Sequence, residues 1–335
     1  MRVHYVSSSC FEHLRACRTS PALPSMSLGE GIRILIGGQQ TTLGSKAAIA
    51  NATPGKEISE PDLQFLQSLR PDLSLSELKA HALQNYAKGM SAGALKYNCF
   101  LKLYYLLPAI TDHTLYRSLL ARPSKGLFLD LGGGQGTDAR KLCQDGYPAG
   151  QVVVSDISPF LWEVGLDLFQ DGPEGPVRFV EANILNSADM APGGALHSFL
   201  GSVDVLYAQA VLHLFTADTM KAYILAAMPL LKPGCLFLGA NASSDPPGSF
   251  DVSEGSKLSD APFLQSPSSF KAVFEELGFL DVKVEVSEFK DFLRRRGFSK
   301  DIWDIDMATP FGDGKRKLQW ITWSATKPTG LCRPP

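Results

Sequence analysis

Long apolar runs are missing from this 335-residue chain, and so is any excess of charge of one sign. A bilayer-crossing helix needs roughly 18 or more consecutive apolar residues, and no stretch approaches that, so no membrane span is expected. Lysine and arginine number 32 against 34 aspartates and glutamates, a net charge of −2. That balance draws the chain toward neither nucleic acid nor an anionic surface, and a small-molecule partner is expected instead. Cysteine is sparse: Cys10, Cys17, Cys99, Cys143, Cys235 and Cys332 form no C-x-x-C pair. Neither a zinc site nor a disulfide framework is signalled. Isolated thiols suit a reducing compartment, which makes the cytoplasm the expected location.

Acids are also scarce at the N-terminus, where Arg2, Arg15 and Arg18 face only Glu12 over the first 28 residues. Mitochondrial transit peptides share that composition. Pro21, Pro24 and the lack of a basic amphipathic face favour a leader without structure. We expect a poorly ordered leader over 1–60, a helical cap or substrate lid over 61–122, an α/β domain over 123–327 and a flexible tail over 328–335. With 44% hydrophobic and 20% charged residues, the chain has the composition of an ordinary globular protein with a sizeable core.

Between 76 and 107 apolar and aromatic residues recur at helical spacing, and Pro108 ends the pattern. A short helix carrying Leu115, Leu119 and Leu120 precedes Pro123. Short apolar strands then alternate with amphipathic helices. Strands are expected at 126–131, 152–155, 177–181, 203–208 and 235–240. Ser158-Pro159, Thr216 and Ser266-Pro267 open helices, and Lys232-Pro233-Gly234 closes one. Val282, Val284 and Val286 alternate with charged residues, and a last strand covers 320–325. Five strand–helix alternations imply a Rossmann-like, seven-stranded, mostly parallel sheet with an antiparallel edge. The connections 241–266 and 288–316 lack strong periodicity. The second contains Arg294-Arg295-Arg296, which as a charge run reads first as a solvated face.

Chemistry concentrates in Asp130-Leu131-Gly132-Gly133-Gly134-Gln135-Gly136, where a strand ends in an acid and a glycine-rich turn opens a helix. Glycines allow left-handed backbone and close ligand approach, and the helix start offers N–H groups. Dinucleotides favour G-x-G-x-x-G without a preceding acid. Here Thr137 replaces the third glycine, and Asp130 would face the phosphates. S-adenosylmethionine carries no phosphate; its amino-acid end has a carboxylate for the N–H groups and an ammonium for the acid. The D-x-G-x-G-x-G pattern from Asp130 to Gly136 therefore favours that cofactor.

Asp156 closes the second strand, where a carboxylate accepts ribose hydroxyls. NAD enzymes share this feature. After the third strand, Asn183 is a candidate partner of an adenine amino group, and Ile184 a candidate to pack on the ring. Gln209 follows the fourth strand among small residues. His213, close behind, is a candidate general base for a hydroxyl acceptor; a structural histidine is the alternative. Tyr97, Phe100, Tyr104 and Trp303 are candidate pocket walls or plain core.

Gly134–Leu142, Asp145-Gly146-Tyr147-Pro148, Ser155-Asp156-Ile157, Gly165–Phe169 and Leu212-His213-Leu214-Phe215 together resemble fungal S-adenosylmethionine-dependent methyltransferases of polyketide and terpenoid-hybrid biosynthesis. Tyr97-Asn98-Cys99-Phe100 and Tyr116 fit the same family. The resemblance spans about residues 80–325. It implies methyl transfer to an oxygen of a small secondary metabolite, a carboxylate in several members. It also implies cofactor contacts at Asp130, Leu131, Asp156, Ile157, Asn183 and Ile184, beside Gly132, Gly134, Gly136 and Gln209 from the motif. Asn183 departs from the aspartate usual there, and residues 1–60 match poorly. A nicotinamide-dependent oxidoreductase and a catalytically inactive interaction module remain the competing readings.

Overall fold

The computed structural model describes residues 33–36, 39–42, 57–91, 100, 102–172, 175–249, 262–297 and 317–330. They fall in two units, Met1–Ile49 and Ala50–Pro335. In the first, β1 (Arg33–Ile36) and β2 (Gln39–Thr42) pair antiparallel, with Ile36 opposite Gln39. β-Branched Ile34, Ile36, Thr41 and Thr42 favour extended backbone. The arginines of the first 28 residues lie outside the described residues.

In the second unit, α1 (Glu60–Leu69) starts where the Ser59 N–H and hydroxyl both donate to Asp62, at 2.9 and 2.7 Å. The next helix is α2 (Leu75–Ser91), one of the two or three helices expected before Pro108. Tyr104–Leu106 and Ile110–Asp112 are single 3-10 turns, and Leu103 is left-handed at φ 56°. A continuous helix cannot contain that residue. Next comes α3 (Tyr116–Ala121).

The alternating region runs β3 (Phe128–Leu131), α4 (Thr137–Gln144), β4 (Val152–Asp156), α5 (Pro159–Phe169), β5 (Arg178–Glu181), α6 (Ser187–Met190), β6 (Val203–Gln209), α7 (Ala217–Ala227) and β7 (Leu231–Asp245). A two-residue pair, β8 (Gly248–Ser249) and β9 (Phe263–Leu264), precedes α8 (Pro267–Glu276), β10 (Leu280–Glu288), α9 (Phe289–Arg295) and β11 (Lys317–Thr326). Ser158, Thr216 and Ser266 cap their helices by accepting an N–H three residues on, which satisfies an otherwise orphaned donor.

Seven strands form one sheet in the order β10-β11-β7-β6-β3-β4-β5. β11 is antiparallel to both neighbours, so the antiparallel strand lies one in from the edge and β10 is outermost. Trp320, Ile321 and Trp323 explain this order, since all are buried and need cover that an edge strand lacks. The Lys232-Pro233-Gly234 run belongs to β7 and does not close α7. The register slips between the Val203–Leu231 and Val205–Leu236 pairs, and this irregularity accommodates the proline. Two apolar layers flank the sheet. Leu129, Val153, Leu206 and Phe237 pack with Tyr223, Ile224, Phe270 and Phe274. Phe128, Val154, Tyr207 and Leu238 pack with Tyr116, Leu142 and Trp162. No described helix is long and apolar enough to cross a membrane.

Candidate active site

From β3 the chain winds outward through β4 and β5, then returns to lay β6 on the other side of β3. Strand order reverses there, which opens a crevice at the strands' C-terminal ends. The glycine turn fills one side of it. Gly132 and Gly133 N–H both donate to the Ser155 carbonyl, at 2.7 and 3.2 Å, and Gly136 N–H donates to Gly133, at 2.8 Å. Gly132, Gly134 and Gly136 have φ of 90°, 52° and 70°, values that exclude most side chains.

Asp156 holds the turn from the next strand. Its Oδ2 accepts the Gly134 N–H and its Oδ1 the Ser158 N–H, each at 2.9 Å. Arg140 grips the turn from behind. Its Nη1 donates to the Gln135 and Gly136 carbonyls, at 2.5 and 3.0 Å, and its guanidinium pairs with Asp171 while lying over Trp162 and Phe169.

Asp130 sits at the base of the turn, only 2% exposed, and its Oδ1 has no hydrogen-bond partner. Burial, reinforced by the Asp138 and Asp156 carboxylates, pushes its carboxyl well above the usual range. It lines a cavity of about 140 Å³ together with Gly132–Gln135, Thr137, Asp138, Gln209 and Ala210. The far wall is Tyr104, Tyr105, Phe292, Arg296 and Trp320.

Several of these residues escaped sequence reasoning. Asp138 accepts the Ala109 and Ile110 N–H groups, at 2.5 and 3.0 Å, and contacts the Tyr207 hydroxyl at 2.9 Å. Tyr207 also contacts Gln209 Oε1, at 3.1 Å, which ties Gln209 into the same buried network. Arg296 is not part of a solvated face. It is 3% exposed and donates to the Tyr104 and Leu107 carbonyls, at 3.1 and 2.5 Å. Arg294 does pair on the surface, with Asp291. Phe289, Phe292 and Leu293, spaced i, i+3, i+4, were the available signal for α9.

Of the other described candidates, Tyr104 lines the cavity and the rest lie apart from its wall. Ile157, beside Asp156, exposes 57% of its surface, as an apolar residue awaiting a ligand would. Asn183 forms a local turn: its Oδ1 accepts the Leu185 N–H, at 3.0 Å, and its own N–H goes to Asp189, at 2.8 Å. Leu131 and Ile184 belong to the core. His213 accepts the Ala242 N–H on Nδ1, at 3.3 Å, with its ring edge-on to Trp320. Burial lowers its pKa to about 4. Phe100 stacks between Tyr86 and Tyr105 as core, and Tyr104 lines the cavity. Tyr97, Asn98, Cys99 and Trp303 lie outside the described residues.

Residues 129–237 match the family described as "Methyltransferase domain". The chain is 31% identical to Methyltransferase adrK of Penicillium rubens, over 53% of its own length and 61% of that protein's. It is 29% identical to O-methyltransferase atr3 of Stereocaulon alpinum, over 55% of its own length and 53% of that protein's. Aligned with the structure of Haemonchus contortus phosphoethanolamine N-methyltransferase 2 in complex with S-adenosyl-L-methionine, it gives a TM-score of 0.46. Identity there is 17%, over 82% of this chain and 61% of that one. Residues 129–237 are thus similar to a methyltransferase domain, and the chain is similar to fungal methyltransferases, spanning 53–61% of the length of these two curated relatives.

Proposed function

We propose that this protein is a cytoplasmic S-adenosylmethionine-dependent methyltransferase acting on an oxygen of a small metabolite of polyketide or terpenoid character. One observation carries the reading. The buried acid Asp130 has an oxygen without a partner beside a glycine turn that opens into the crevice where strand order reverses. The residues fit the cofactor. Asp130 meets an ammonium, Asp156 at the end of the second strand offers a carboxylate to ribose hydroxyls, and exposed Ile157 covers an adenine face. Gly134 has nothing within 4 Å of where a Cβ would stand, so the turn is open on its ligand side. When bound, S-adenosylmethionine supplies an electrophilic methyl on a sulfonium. The protein's part is to hold both partners in line and exclude water.

A carboxylate is the favoured acceptor. With the Ala242 N–H on Nδ1, the His213 proton resides on Nε2, and a ring with pKa about 4 is a weak base. A carboxylate, ionised at neutral pH, needs no base. Asn183 spends its side-chain oxygen and its backbone N–H and carbonyl locally, so the adenine side falls to Ile157. The nicotinamide reading is disfavoured because a pyrophosphate would lie against Asp130, Asp138 and Asp156. Residues 61–122 and α9 supply the acceptor side of the cavity.

Isothermal titration should give S-adenosylmethionine binding and none of NAD(H). Mass spectrometry of incubations with carboxylic-acid and phenolic acceptors should then find the methyl ester and no aryl ether. NAD(H) binding would overturn the assignment, and tight cofactor binding without any product would favour an inactive module.

A further inference from the structure

Three carboxylates surround the glycine turn, and hydrogen-bond donors are shared unequally among them. Asp156 takes two backbone N–H groups, from Gly134 and Ser158. Asp138 takes two, from Ala109 and Ile110, and contacts the Tyr207 hydroxyl. Asp130 Oδ1 takes none. In the turn that follows it, the Gly132 and Gly133 N–H groups are spent on the Ser155 carbonyl. Donors stabilise the charged form of a carboxylate, and burial without them favours the neutral acid. The one proton this cluster needs therefore belongs on Asp130.

We propose that the cofactor's ammonium group enters the cavity in exchange for the proton of Asp130. The inference rests on the cofactor reading above and adds the charge-neutralising step. Before binding, Asp130 is –COOH. As the ammonium arrives it becomes –COO⁻ paired with –NH₃⁺, and its proton leaves to solvent; no other bond changes. Every titratable group facing Asp130 is consistent with this. Asp138 from α4 and Asp156 from β4 oppose a third negative charge. Tyr207 from β6 and Tyr223 from α7, both raised by burial, stay neutral. Arg296, beyond α9, is engaged by the Tyr104 and Leu107 carbonyls and by Asp112 at 3.8 Å. The cavity consequently selects for ligands that carry an ammonium. S-adenosylhomocysteine, which retains the amino-acid end, qualifies; 5′-methylthioadenosine, which lacks it, does not.

The test is calorimetry of the full chain with S-adenosylhomocysteine at about pH 6.5, below the usual α-amino pKa of about 7.7–8.0, so that the ligand arrives protonated. Titrations in phosphate and in Tris, whose ionisation heats differ, count the protons. We expect close to one proton released and an affinity that tightens by up to about tenfold per pH unit while Asp130 remains protonated in the free protein. Asp130→Asn should bind without releasing a proton. 5′-Methylthioadenosine, titrated into the unmodified protein, should likewise release none, and this arm stands even if the variant fails to fold. Heats independent of buffer with binding intact, or the same proton count from Asp130→Asn or from 5′-methylthioadenosine, would overturn the proposal alone. Absence of any S-adenosylhomocysteine binding would overturn the cofactor reading, and this proposal with it.

Discussion

The His213 imidazole accepts a backbone N–H on Nδ1 and is held neutral by burial, its pKa falling from 6.5 to about 4. The unfolded chain binds a proton at this site below about pH 6.5, whereas the folded chain does so only below about 4. Its stabilising contribution is therefore full above pH 6.5 and declines as the pH falls through that window. Allowing for a ring that is only partly buried, the decline is about 2 kcal/mol. His213→Gln keeps a neutral acceptor within reach of the Ala242 N–H. Urea unfolding at pH 7 and pH 4.5 should show a smaller acid loss for the variant; equal losses would mean that the histidine is not buried in this way. The same residue illustrates what sequence leaves open, since the pattern around it admits a base and only the fold supplies the N–H that occupies Nδ1. Asp130, the glycines, Asp156 and Gln209 were legible because their chemistry is local to strand ends. Asp138 and Arg296 were not. The sequence analysis assigned Asp138 no role and read Arg296 as part of a surface charge run, and what each does depends on partners far along the chain.

Helix α5 rests directly on the glycine turn, and Gly165 is the reason it can. A Cβ there would stand 2.3 Å from the Gln135 carbonyl oxygen and 2.9 Å from its carbon, backbone atoms that cannot rotate away. Gly165→Ala in an unconstrained helix would gain up to about 1 kcal/mol. Here the clash reverses the sign, and we expect a net loss of about 1–3 kcal/mol, together with weaker cofactor binding because the displaced carbonyl belongs to the turn. Gly150→Ala meets nothing within 4 Å and is the control. Equal urea midpoints for the two variants would show that α5 does not press on the turn. Element boundaries were readable wherever a cap marked them, as at Ser158, Thr216 and Ser266. They failed where tertiary contact overrode a local stop, most plainly at Pro233, which β7 absorbs at a register slip. Helix α9 went unread because its seven residues form too short a window for the period to stand out.

At the scale of the whole molecule, the parallel core was legible from five strand–helix alternations, each a local signal. The position of β11 was not, because its pairing with β7 and β10 is decided by which strands need both faces covered. The cavity combines the two situations. Its turn side comes from consecutive residues of β3 and α4, while its far wall joins Tyr104 and Leu107 to Arg296 across 192 and 189 residues of sequence. The Arg296 guanidinium bridges two carbonyls, and its positive charge offsets part of the negative charge of buried Asp138. Arg296→Met removes the bridge and leaves Asp138 without its nearby cation. Taking the donor away from these part-buried carbonyls costs on the order of 1–3 kcal/mol. Arg296→Lys keeps the charge but cannot span both carbonyls, and should recover only part of the loss. If Arg296 holds the wall together, amide exchange in the methionine variant should quicken at residues 104–112 while β3 and β6 stay protected. The acceptor KM should also rise more than the cofactor Kd. Unchanged exchange at 104–112 would mean that this wall stands without its arginine.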